Sequence, residues 1–152
     1  MAAEEARRSP MELGIYPKAQ VLNRVIAKGI DFLIVAAASR LVPPIGVLAG
    51  LAYLLLADGF GGGRSVGKRL IGLQTIVPRT RDPAGFRESI IRNLPCGLAQ
   101  LVLEIPYIGW IGWGAVLTLE ALLVIGNERG LRLGDEIAKT QVLESGQLEV
   151  WD

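Results

Sequence analysis

Histidine is missing from this 152-residue sequence, and cysteine occurs once, at Cys96. Without histidine the chain lacks the one side chain whose ordinary pKa lies near neutral pH. A single cysteine allows neither an internal disulfide nor a Cys/His metal site. The sequence also shows no recognisable pair of nucleophile and base. It therefore predicts a protein that is not an enzyme and that uses no metal and no cofactor.

Charge of one sign is also lacking, because sixteen Lys and Arg residues and fifteen Asp and Glu residues leave a formal net charge of +1. Such a balance predicts no nucleic-acid partner. Apolar residues, by contrast, make up 51% of the chain, and its mean hydropathy is +0.40. A chain this short cannot bury so much apolar surface in water without large exposed patches. The composition predicts an integral membrane protein with the lipid bilayer as its solvent.

Four apolar segments predict an all-α bundle of four membrane-spanning helices. A helix of about 20 residues crosses about 30 Å of hydrocarbon, and Pro43-Pro44 and Pro106 mark breaks between neighbouring segments. An alternative makes 92–104 a helix on the membrane surface, which leaves three spans and an outside C-terminus. The predicted spans are 24–42, 45–57, 92–105 and 108–126.

Polar segments flank and divide these spans. Residues 21–143 form the predicted transmembrane domain, between a polar tail at 1–20 and a C-terminal tail at 144–152. Lys and Arg residues concentrate in the tails and in a central loop at 58–91, so the positive-inside rule places all three in the cytoplasm of a bacterial cell. We expect a multi-pass protein of the cytoplasmic (inner) membrane.

The central loop carries its own secondary-structure signals. A short helix is expected around 65–71, followed by an extended run at 73–77. Two pieces of the tail, at 141–143 and 147–150, match that run in β-type pattern. These segments predict a small cytoplasmic β element.

The first span has its charges on one face. Arg24, Lys28 and Asp31 fall within one arc at 100° per residue, whereas Ile26 and Leu33 lie on the opposite arc. A charge inside a span costs about 2.5–3.5 kcal/mol unless it faces protein or water. The charged arc should therefore face the interior of the bundle.

Two acids lie at similar depth in this arrangement. Asp31 lies seven residues beyond Arg24 in the first span, and Glu120 lies about six residues before the cytoplasmic end of the last. Lys28, Arg24 and Arg92 are expected beside them. Two interpretations stay open: a cluster of fixed salt bridges, or the inner half of a cation pathway.

The outer end of the bundle should hold a second charge pair, Arg40 with Glu104, which we interpret as a structural clamp. Three aromatic residues, Tyr107, Trp110 and Trp113, are expected to form a belt at the outer membrane interface. Neither feature predicts chemistry.

The glycine-rich stretch Gly62-Gly-Arg-Ser-Val-Gly-Lys68 matches part of a phosphate-binding loop. A true loop of that kind has Ser or Thr after the lysine, to bind magnesium, and follows a β-strand. Here Arg69 follows the lysine and a membrane span precedes the loop. We interpret the stretch as a turn that leaves the bilayer, with its basic residues near anionic headgroups.

Three stretches in order resemble the RDD family of bacterial membrane proteins. The first span has Arg24-Val-Ile-Ala-Lys-Gly-Ile-Asp31, similar to the opening Arg-x-x-Ala-x-x-x-Asp of that family. The loop has the residues of the family's Gly-x-Ser-x-Gly-Lys pattern, and the end has Asp135-Glu-Ile-Ala-Lys-Thr-Gln-Val142, similar to its Asp-x-x-Ala-x-Thr-x-Val. The resemblance makes Arg24, Asp31 and Asp135 the trio that names the family. The loop residues are Gly63, Ser65, Gly67 and Lys68.

Asp135 follows the last span and has two candidate roles. It could cap a short helix that begins near Gly134. It could also tether the tail to the bundle by contacting Arg24 or the loop residues Lys68 and Arg69. We favour the tether.

The resemblance implies a membrane protein for which transport has been suggested. Our leading hypothesis is a small transporter for a monovalent cation, sodium or proton, or for a small solute. The alternative is an accessory or assembly subunit of a membrane complex that docks a partner through its loop and tail. Because four short spans enclose little volume, we also expect a homo-oligomer.

Overall fold

The structure, a computed structural model, describes residues 16–41 and 43–146. Within these residues the chain forms six helices and two strands. Four of the helices are long and two are short. The elements in chain order are α1 (Val21–Leu41), α2 (Ile45–Phe60), α3 (Val66–Ile71), β1 (Leu73–Ile76), α4 (Phe86–Leu103), α5 (Gly109–Gly126), α6 (Leu133–Ala138) and β2 (Gln141–Glu144).

The four long helices form a bundle in which α2 packs against both α1 and α4, and α4 also packs against α5. The first and last long helices, α1 and α5, share little direct contact, so the bundle is open along one side. Three of the helices begin within three residues of the predicted spans. The fourth, α4, begins at Phe86 rather than at 92, because Glu88 accepts a hydrogen bond from the N–H of Gly85 at 3.1 Å and starts the helix early.

Large apolar side chains face outward in this bundle, and charged and polar side chains are among those buried inside it. The buried residues of α1 are Ala27, Asp31 and Val35, and its Leu33 is 71% exposed. This confirms that the arc containing Asp31 faces inward. Water-soluble proteins rarely expose apolar area on the scale of these four helices. The outward apolar face is typical of a protein surrounded by lipid.

Among the described residues one helix, α5, is both long and apolar enough to cross a membrane. Helix α2 is apolar but has only 16 residues. Helices α1 and α4 are long, but α1 carries four charged residues and α4 carries three in its first two turns. Each of the four predicted spans is therefore a helix in the structure. By length and composition, one of these helices, α5, qualifies as a membrane span.

At one end of the bundle the short elements form a small folded layer. Strands β1 and β2 pair antiparallel, with Leu73 opposite Glu144 and Ile76 opposite Gln141. This confirms the predicted β element, including its tail strand at 141–143. The other proposed tail strand, 147–150, lies outside the described residues. We call this end, which contains α3, α6 and the sheet, the polar end.

The segment between the second and third long helices has the secondary structure expected for it. Residues 58–91 contain the end of α2, the short helix α3 and strand β1 that were expected there, and the start of α4. The part of the 1–20 tail that the structure describes is packed on the sheet. Tyr16 contacts Ile76 and Leu143 in one apolar cluster, and Ala19 joins another. These contacts cover apolar side chains of the sheet from water.

Candidate functional site

The side chain of Arg92 is the centre of a buried ionic network at the polar end. Arg92 is 0% exposed and lies in the second turn of α4. Its guanidinium lies 2.6 Å from the Asp135 carboxylate and 3.4 Å from that of Asp58, and it also donates to the Thr75 hydroxyl. The planar guanidinium can bind several acceptors in a fixed geometry. Arg92 thereby joins α2, β1, α4 and α6.

Two glycines allow the short helices to reach this network. A Cβ atom on Gly67 would overlap the Ala27 carbonyl of α1, and one on Gly134 would overlap the Arg92 carbonyl of α4. Backbones approach this closely only where no side chain intervenes. The Gly67 position of the loop pattern therefore packs α3 on α1, and Gly134 packs α6 on α4.

Lys68, from the same loop pattern, is buried in this network. Its ammonium lies 2.5 Å from Asp58 and donates to the Thr75 hydroxyl at 3.0 Å. Burial and then the charge of Arg92 lower the pKa of Lys68 to about 7, while the Asp58 carboxylate opposes this shift. Lys68 is therefore buried in protein rather than placed near lipid headgroups, which corrects that expectation for this residue, whereas Arg92 was expected in a charge cluster and lies in one. The buried carboxylate of Asp58 attracts both cations inward, because it needs a positive partner there.

Asp135 joins the tail of the chain to the first helix. Its carboxylate accepts a hydrogen bond from Arg24 at 2.7 Å and also contacts Arg132 at 3.4 Å. Burial alone would raise the pKa of Asp135, but the charges of Arg92, Arg132 and Arg24 outweigh it and hold that pKa well below its usual range. Of the contacts expected for a tether between the tail and the bundle, the structure contains the one between Asp135 and Arg24. Asp135 also accepts from the backbone N–H of Arg132 at 3.3 Å, so it supports the start of α6 as well.

Asp31, the third residue of the trio, has no cation within 4 Å among the described residues. Its carboxylate accepts from the Ser65 hydroxyl at 2.6 Å, from the Gly67 N–H at 3.0 Å and from the Tyr53 hydroxyl at 2.8 Å. The interpretation of Asp31 as part of a salt-bridge cluster is therefore wrong. Neutral donors of the loop hold it because α3 packs directly over it at Gly67.

Glu120 is the one acid of the site whose oxygens have no donor. Its side chain is 6% exposed, and neither carboxylate oxygen accepts a hydrogen bond from a described residue. Arg132 lies 3.5 Å away and provides an ion pair without hydrogen-bond geometry. A buried carboxylate with free lone pairs is costly to maintain. Glu120 is therefore available to a ligand in a way that Asp31 is not.

A cavity of about 360 Å³ lies in the open side of the bundle, between α1 and α5. Its walls include apolar residues of both helices, such as Val25, Phe32 and Ala121. Its charged lining brings together all five residues of the predicted pathway and adds two more cations. The charged residues of the lining are Arg24, Lys28, Asp31, Lys68, Arg92, Glu120 and Arg132.

Lys28 differs from the other cations of the cavity. Its ammonium donates to the side-chain oxygen of Asn93 at 3.2 Å and lies 5.4 Å from the ring centre of Phe32. Among the described residues it has no carboxylate within 4 Å. An ammonium has three donors, and the described residues occupy one of those on Lys28, which leaves two that a ligand could use.

The predicted outer charge pair does not form. Arg40 and Glu104 are both exposed, and no ion pair joins them in the part of the chain that the structure describes. Arg40 lies in the last turn of α1, where its charge favours the C-terminal end of the helix. Of the three aromatic residues expected at the outer interface, Trp110 and Trp113 have ring centres 6.5 Å apart, and the Trp113 ring also lies edge-on to Phe32 of α1 at 5.6 Å.

Sequence reasoning missed two members of the network. Asp58 was interpreted only as the end of a span, and Arg132 was not singled out. Asp58 is the one charged residue of α2, and that isolation is the signal that could have identified it. Arg132 offers a weaker signal, since it precedes a helix in a tail with several charges.

A family model described as the RDD family matches residues 43–139, which is well over half of the chain. The matched part contains Asp135, while Arg24 and Asp31 precede it. No curated protein and no solved structure matches the chain.

Proposed function

The chain belongs to the RDD family, whose members are membrane proteins, and from this we propose that it moves a small solute across the bacterial cytoplasmic membrane. The chain is an integral membrane protein. In our proposal α1, α2, α4 and α5 all cross the bilayer, and both termini are cytoplasmic because the basic polar end follows the positive-inside rule. The solute would pass through the cavity between α1 and α5.

The observation that carries the proposal is the position of Glu120. It lies in α5, the helix best suited to span a membrane, and its buried carboxylate lines the cavity without a hydrogen bond from any described residue to either oxygen. Ionisable residues inside a membrane are expensive, and they commonly mark substrate or proton pathways. Asp31, by contrast, has three donors within the protein and serves as an anchor for the loop.

The charges around the cavity bear on which solute it moves. Sodium or a proton could bind the free oxygens of Glu120, as our leading hypothesis from the sequence holds. Five cations line the same cavity, however, and they repel an entering cation. A small solute that donates hydrogen bonds to Glu120 agrees better with this lining, and a proton remains a candidate for a coupled ion.

The test is flux in proteoliposomes that contain the purified protein. Imposed sodium, proton and solute gradients should each be followed with a matching indicator. Replacing Glu120→Gln should lower the active flux at least about tenfold, since it removes the charge while keeping the shape. Glu128→Gln, an exposed residue beyond α5, is the matched control and should leave the flux unchanged.

Two results would reject transport. One is the absence of flux for every gradient, and the other is full activity of the Glu120→Gln protein. A homo-oligomer is part of the proposal, because one cavity of about 360 Å³ does not reach across a bilayer. The mass of the protein in nanodiscs measures this, and a monomer would contradict it.

The second candidate function is an accessory or assembly subunit. It is favoured by apolar residues that the polar end leaves exposed: Phe60 is 76% exposed, Leu70 69% and Ile137 59%. Such residues are typical of partner surfaces. This function predicts that a partner protein co-purifies, that Leu70→Glu releases it, and that Glu120→Gln has no effect in cells.

A further inference from the structure

We infer that the ligand of this cavity is an anionic phospholipid, whose headgroup binds between Lys28 and Glu120 while its acyl chains stay in the gap between α1 and α5. The inference rests on the proposed function, because it names the molecule that the same cavity takes. Charge, hydrogen-bonding capacity and shape each support it.

The charges of the site do not sum to zero. The cavity and its ionic network together contain five cations and four acids. The acids are Asp31 and Glu120 of the lining, with Asp58 and Asp135 of the network. The excess is one positive charge, and Lys28 is the cation without a carboxylate partner in the described part of the chain. A phosphodiester carries one negative charge, which neutralises this excess. Its oxygens can accept hydrogen bonds from the Lys28 ammonium.

Glu120 adds a requirement for a donor. Its two oxygens accept no hydrogen bond within the described protein, so the preferred headgroup presents hydroxyl groups beside its phosphate. Phosphatidylglycerol has both features. Phosphatidylcholine has the phosphate but no hydrogen-bond donor, and it adds a cation next to Lys28. The pair of residues therefore selects a hydroxylated anionic headgroup.

The shape of the cavity points to a lipid rather than to a free ion. At about 360 Å³ it has the size of a small ligand site, which fits a headgroup and not a whole lipid. Helices α1 and α5 share little contact, so the cavity has a side opening toward the surrounding bilayer. Val25 and Ala121 line the cavity and are exposed, and they provide an apolar path for the chains.

The test is lipid binding by native mass spectrometry of the purified full chain in detergent. Phosphatidylglycerol and phosphatidylcholine with identical acyl chains should be titrated in parallel. We expect phosphatidylglycerol to bind about tenfold more tightly, and Lys28→Met to remove that preference. Lys28→Arg keeps the charge and should keep the preference, which controls for folding.

A matched variant and soluble ligands separate the sources of the signal. Arg69→Met removes an exposed charge from α3 at the same end of the molecule, and it should leave the lipid preference intact. Glycerol 3-phosphate and inorganic phosphate should not compete with the lipid at millimolar concentration. Competition by either would show that the ligand is a soluble phosphate and would overturn the inference, as would an unchanged preference in Lys28→Met.

Binding and movement can fail separately. Lipid preference that depends on Lys28, without transbilayer movement of labelled phosphatidylglycerol in proteoliposomes, would uphold the inference and reject transport. Sodium or proton flux that depends on Glu120, without any lipid preference, would uphold transport and overturn the inference.

Discussion

Replacing Arg92→Met should strongly destabilise the protein, because this substitution removes the centre of the buried ionic network. Methionine has a similar length and no charge, so the packing of α4 is preserved as far as possible. The Asp135 and Asp58 carboxylates, at 2.6 and 3.4 Å from the guanidinium, would both lose a cation. The burial of those two acids determines the cost.

Removing one partner of a buried ion pair costs about 3–5 kcal/mol. The lower end applies here, because Asp135 keeps Arg24 and Arg132 and Asp58 keeps Lys68. A loss of about 3 kcal/mol corresponds to a fall in melting temperature of about 6–12 °C for a chain of this size.

Thermal unfolding in detergent micelles, followed by tryptophan fluorescence, measures this fall. Arg87→Met is the control, since Arg87 lies in the first turn of the same helix and is exposed. It should melt within about 1 °C of the parent protein. Arg92→Met combined with Asp135→Asn should cost less than the sum of the two single changes, because the residues are coupled. Equal melting temperatures for Arg92→Met and the parent would refute the network as the source of stability.

Two further predictions concern the acids of the family trio. Asp31→Asn should destabilise the protein by about 1–3 kcal/mol, because the NH2 of the new amide would face groups that now donate hydrogen bonds to the carboxylate. Tyr53→Phe removes one of these donors and should cost less. An Asp31→Asn protein that melts like the parent would contradict the anchoring role. For Asp135, whose folded pKa is depressed, the stabilisation is complete above the ordinary aspartate pKa of 3.8 and is lost as the pH falls below it. The difference in melting temperature between the parent and Asp135→Asn should therefore be large at pH 7 and shrink below about pH 4, and a gap that does not change with pH would disprove the charge argument.

The sequence predicted the helices well because their signals are local. Apolar segments separated by Pro43-Pro44, the central loop and Pro106 predicted four helices, and the local signals at 65–71 and 73–77 predicted α3 and β1. The inward face of α1 followed from helical periodicity alone, since the arc with Asp31 could not face lipid at acceptable cost.

The pairing of the charges could not be predicted in the same way. Helical periodicity gives the face and depth of Asp31 and Glu120, but it does not reveal which neighbours fill the space beside them. Gly67 decides the outcome for Asp31, because a backbone that approaches α1 so closely delivers neutral donors to that carboxylate. The early start of α4 likewise depended on one contact between Glu88 and Gly85.

The position of Asp135 has a consequence for how the protein is made. Arg24 and Arg92 are synthesised before Asp135, whose carboxylate contacts both of them. Until then Arg24 lacks the Asp135 carboxylate, whereas Arg92 already has Asp58 as a partner. Quality-control proteases should therefore recognise a product truncated before 135 as unassembled, whereas a fusion placed after 146 should escape degradation.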